Sequence, residues 1–135
     1  MNNNRSHVRI LLLFTLVFAL CTTTLFTTNA EARRADEVFD SATVSLKTTK
    51  KVVYDATTYG TQKTISITNC WLEKKIGSKW VRQSALETPS AGKNTFGYVR
   101  EMDYSDNIGT GTYRVGATFD ADGHSITRYS NSSTF

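Results

Sequence analysis

The sequence predicts an all-β domain, an antiparallel sandwich of about seven short strands, with a small closed barrel as the alternative architecture. Three observations carry this expectation. Apolar residues recur with a period of two rather than 3.6, as in Ala42-Val44-Leu46 and in Tyr113-Val115-Ala117-Phe119. Turn-forming residues cut the chain into segments at roughly 8 to 12 residue spacing. Threonine is abundant, proline occurs once, and no amphipathic helical run follows the first third of the chain.

The first element is an address. Arg5 and Arg9 supply positive charge, Ile10 to Cys21 is an apolar core of about a dozen residues, and Ala30-Glu31-Ala32 is a small-x-small cleavage site. Residues 1–32 therefore read as a signal peptide cut after Ala32. Thr22 to Thr24 ends the apolar run short of the roughly 20 residues that a spanning helix needs. Leu20 before Cys21 is too large for a lipoprotein signal. The expectation is a secreted, extracellular protein with no membrane attachment after cleavage. Residues 33–40 are polar and read as a flexible N-terminus, leaving residues 41–135 as the β-sandwich domain.

Strands follow in order. Ala42 to Lys47 and Lys51 to Thr57 alternate, and Gly60 precedes a further strand from Gln62 to Lys74. Within that strand the apolar phase slips by one between Ile67 and Cys70, which predicts a bulge near Thr68-Asn69. Gly77-Ser78 separates it from Lys79 to Leu86, and Pro89 to Lys93 leads into Thr95 to Met102. Asn107 to Gly111 precedes Thr112 to Phe119, and Asp120 to Gly123 turns the chain into His124 to Ser130.

Charge and chemistry are sparse. The chain carries 16 basic and 12 acidic residues for a net charge of +4, and losing Arg5, Arg9 and Glu31 leaves +3. The charges are mixed along the sequence, so no basic face of the kind that holds nucleic acid is expected. Cys70 is the one cysteine after the leader and lies inside a strand, where a small buried side chain is the simplest reading and an intermolecular disulfide the sharper one.

Asp120, Asp122 and His124 alternate as metal ligands can, yet Asp-Ala-Asp-Gly is complete as a turn. Calcium would want about six oxygen ligands and zinc three or four converging side chains. No metal or other cofactor is expected. The same scarcity argues against catalysis: His124 is the one histidine after the leader, and no carboxylate sits in a recognisable motif. No catalytic residue is assigned and the chain reads as non-enzymatic.

Aromatic residues remain. Trp80 and Tyr113 read as parts of the fold, Tyr113 because immunoglobulin-like domains place a tyrosine early in a late strand to bond back to a loop. Trp71 adjoins Cys70 and Leu72 and so points to the opposite face. It is the candidate binding-surface residue, a platform for sugar or a protein partner if that face is exposed.

Three features together, Trp71-Leu-Glu-Lys-Lys-Ile-Gly-Ser-Lys-Trp-Val81, Gly109-Thr-Gly-Thr-Tyr-Arg-Val115 and a glycine hairpin before a serine-rich C-terminus, resemble a group of uncharacterised small secreted proteins of Gram-positive bacteria. The likeness spans roughly residues 64–133. It implies an immunoglobulin-like β-sandwich and marks Leu72, Trp80, Gly111, Tyr113, Arg114 and Val115 as fold-defining. It implies no activity. Glu73 and Thr112 stand where members of the group favour an amide side chain and a glycine. The function expected is a small secreted binding or interaction module for a cell-surface glycan or protein, the alternative being a bacteriocin-like effector or its partner protein.

Overall fold

A computed structural model describes residues 37–135. The segment expected to be a signal peptide, residues 1–32, and most of the N-terminal segment expected to be flexible lie outside the described residues. Seven strands run in chain order: β1 (Phe39–Leu46), β2 (Lys51–Ile76), β3 (Lys79–Ala85), β4 (Gly92–Asp103), β5 (Thr112–Ala121), β6 (His124–Tyr129) and β7 (Ser133–Thr134). All pairings are antiparallel and belong to one sheet. The domain is all-β, as expected.

The sequence divides the second strand where the structure does not. Gly60 suggests a break, but β2 continues for 26 residues. Straight, it would reach roughly 85 Å, while a domain of about 100 residues is only about 35 Å across, so β2 must bend. Its N-terminal half pairs with β1 on one edge and β4 on the other; its C-terminal half pairs with β5 and β3. The two halves face each other across the core, and the sheet curls as a half-barrel. Tyr54, on the first half, reaches Cys70, on the second, at 2.8 Å, and its ring meets Phe119 of β5 edge to face.

Two devices hold the bend. The pairing of β2 with β4 jumps from Thr57↔Gly97 to Gln62↔Thr95, so extra residues of β2 bow outward. Buried Thr58 ties this bow together, its hydroxyl donating to the Gly60 carbonyl at 2.7 Å. On the other edge, the Asp122 carboxylate accepts the backbone N–H groups of Lys63 and Thr64 at 2.8 and 2.9 Å.

The bulge read from the phase slip is present, since the β2–β5 register shifts between Ile67 and Asn69. It lets Ile65 and Ile67 before it and Cys70 and Leu72 after it all face the core. The core also takes Val44, Leu46, Tyr98, Val115 and Phe119. β1 starts earlier than expected: Phe39 is buried and packs edge to face on Phe119, so Phe39 and Asp40 belong to the sheet.

Three buried polar groups, Cys70, Tyr54 and Tyr104, form one chain whose protons can be assigned. The Tyr104 hydroxyl donates to the Glu87 carbonyl at 2.6 Å, which uses its only hydrogen. It must accept from Tyr54 at 3.0 Å, and Tyr54 must in turn accept from the Cys70 thiol. Burial pushes the thiol and both hydroxyls above their ordinary pKa values. Cys70 is a free, buried cysteine within this chain.

Candidate functional site

The outward side chains of the C-terminal half of β2 and its neighbours form successive rows across β3, β2, β5 and β6. Strand pairing aligns Trp80 with Lys75, then Arg82 with Glu73 and Arg114, then Trp71 with Gly116 and Tyr129. Below them come Asn69, Thr118 and Thr127, then Ser66, Asp120 and Ser125. Alternation along each strand puts these residues opposite the core.

Trp71 has the facing read from the sequence but not the exposure. It is 8% exposed and lies outside the core cluster. Gly116 provides its seat: a Cβ there would fall well inside contact with the indole ring. Tyr129 meets the indole edge to face at 5.8 Å, Arg82 lies over it at 4.8 Å, and its N–H donates to Glu73 Oε1 at 3.0 Å. Trp71 is thus the covered floor of an outer layer.

Trp80 belongs to the same layer. It stands half-buried on this outer face, with the Arg114 guanidinium 4.6 Å from its ring centre and Lys75, across the β2–β3 hairpin, at 6.0 Å. Arg114 lies between Trp80 and Tyr129, 4.3 Å from the latter, and its Nε donates to Glu73 Oε2 at 2.6 Å. Tyr113 is buried as expected, its hydroxyl 3.5 Å from the Thr110 carbonyl.

Arg82, Arg114 and Tyr129 belong to this layer, and sequence reasoning did not assign them to a site. One signal was available. Gly116 occupies an outward position in an otherwise filled strand, which marks a place where a neighbour's large side chain approaches the backbone. The arginines sit in the row beside it.

The acidic hairpin is not brought together as a ligand set. Asp122 and Gly123 have φ of 50° and 89°, and Ala121 pairs with His124, so the loop has two residues and the positive φ values of a type I′ turn. That is tighter than the four-residue connection expected, because Asp120 and Ala121 extend β5. Asp120 accepts from Gly123 N–H and the Ser125 hydroxyl, while Asp122 grips β2. Among the described residues, no group of three or more His, Cys, Asp or Glu side chains is placed to hold a metal ion.

A second exposed aromatic pair lies at the bow of β2. Tyr59 and Phe96 are 70% and 64% exposed, on neighbouring strands. Lys63 and Lys93 flank them in sequence, and the Asp122 turn is close by through its bonds to β2. No helix among the described residues is long and apolar enough to cross a membrane. No protein-family model, curated protein or solved structure matches this chain.

Proposed function

We propose that this chain is a small secreted, non-enzymatic binding module that acts at a cell surface through the outer face of β3, β2, β5 and β6. The observation that carries the reading is the layer itself. Arg114 is stacked with Trp80 and Tyr129, and Arg82 and Tyr129 pack on a covered tryptophan, which fixes long side chains at low entropic cost before any partner arrives. Arginine and aromatic residues are also the types that dominate contact surfaces.

An immunoglobulin-like sandwich, shared with small secreted proteins of Gram-positive bacteria, is the finer fold reading. Its support is the early position of Tyr113 in β5 and the approach of its hydroxyl to the loop before it. The test of function is retention. Incubated with producing cells, the protein should sediment with them, and a Tyr129→Ser, Arg82→Gln double variant should stay in the supernatant while melting cooperatively. Equal retention of both would refute the assignment of the face. Dye release from lipid vesicles by the intact protein would favour the bacteriocin-like effector instead.

A further inference from the structure

The outer layer holds more positive charge than it neutralises. Lys75, Arg82 and Arg114 stand near the rings with one carboxylate, Glu73, whose two oxygens are committed to Trp71 and Arg114. Asp120 shares the face two rows beyond the Trp71 row, and its carboxylate is taken up by the β5–β6 turn and Ser125. Arg82 has five N–H donors. Its hydrogen bonding among the described residues is a single 3.5 Å approach of Nη2 to Asn69, and it makes no ion pair there.

Arg114 spends its Nε on Glu73. Ring contacts cover its guanidinium face, which leaves the terminal nitrogens at the edge of the fork. Two guanidinium groups are therefore held by stacking with donors to spare, an arrangement suited to bidentate capture of oxyanions.

The geometry points to an acidic polysaccharide as the ligand of this face, its carboxylates on Arg82 and Arg114 and its hydroxyl groups along the adjoining threonine rows. This rests on the binding-module reading and narrows it. Arg82 and Arg114 flank Glu73 in one row, so their backbones lie two strand spacings apart, roughly 10 Å. A polymer carrying an acid on successive sugars can meet both. Asn69, Thr118 and Thr127 continue the same face with amide and hydroxyl groups, which match sugar hydroxyls better than a bare phosphate chain. Three cations on one patch are too few for a nucleic-acid track.

The test is a calorimetric titration of the purified protein at low salt with polygalacturonate, its methyl ester, polyphosphate and a single-stranded oligothymidylate. Polygalacturonate should bind, and the ester, which lacks the charge, at least about tenfold more weakly. Arg82→Gln should weaken polygalacturonate binding by about tenfold while the protein still melts cooperatively, since the side chain is exposed. Arg82→Lys should recover only part of the loss, because a point charge lacks the fork.

Equal or tighter binding of polyphosphate or oligothymidylate would overturn the polysaccharide class. Unchanged affinity in Arg82→Gln, with loss in a Tyr59→Ser, Phe96→Ser double variant, would overturn the face. Refusal of polygalacturonate by a protein still retained on cells would sink the acidic-glycan proposal alone. Failure of both would remove the binding reading as well.

Discussion

Gly116→Ala should destabilise the protein strongly in the native background and hardly at all when Trp71 is also alanine. The indole lies against Gly116 so closely that a methyl group has no room, and the obstacle is a ring packed under Arg82 and Tyr129. The ring must lift. A buried tryptophan covers roughly 200 Å², which at about 25 cal/mol per Å² is about 5 kcal/mol. Allowing for a compact unfolded chain reduces this to about 3 to 4 kcal/mol.

A tilted indole keeps one side covered, so Gly116→Ala is expected to cost about 2 to 3 kcal/mol. Trp71→Ala alone should cost about 3 kcal/mol. In that background the clash is gone and alanine is preferred to glycine in a strand by about 0.5 to 1 kcal/mol. The second substitution should then be neutral or stabilising. Urea unfolding of the four proteins, followed by circular dichroism, gives the coupling. Additive costs would refute the close packing of Trp71 on the β5 backbone.

Trp80→Ala should cost only about 1 to 2 kcal/mol, less than Trp71→Ala, because the ring is half-buried outside the core; thermal melts rank the two. Tyr54→Phe removes the donor to Tyr104 and the acceptor for the Cys70 thiol, and should lower stability by about 1 to 3 kcal/mol in urea. Asp122→Ala strips the acceptor from two backbone N–H groups at the bend and should cost about 1 to 2 kcal/mol, with faster hydrogen exchange at Lys63 and Thr64.

Stability should also fall in alkali. The folded pKa values of Cys70, Tyr54 and Tyr104 are raised, so their contribution is intact below the ordinary values of 9.0 and 10.0 and is lost as pH rises past them. Denaturation midpoints that stay level from pH 8 to about 11 would contradict the buried chain.

Strand phase was legible because each inward position is set by its immediate neighbours. The alternation at Tyr113 to Phe119 and the slip at Thr68 needed no distant information. The continuity of β2 was not legible, because Gly60 is compatible with either a break or a bow. What decides is β4, which pairs on both sides of the bow from more than thirty residues away. Trp71 shows the same division. Its direction follows from Cys70 and Leu72 beside it, whereas its cover comes from Arg82, Gly116 and Tyr129, on three other strands. Exposure of a sheet face depends on long side chains drawn from across the sheet, and their stacking leaves no periodic trace.

The most direct test of the outer face as the contact surface is hydroxyl-radical footprinting of the protein free and bound to producing cells. The native molecule supplies its own control, since Tyr129 is 48% exposed on the outer layer while Tyr59 and Phe96 are 70% and 64% exposed at the bow. Binding should protect Tyr129 and Trp80 and leave the oxidation of Tyr59 and Phe96 unchanged. Protection of Tyr59 and Phe96 with Tyr129 still fully reactive would contradict it.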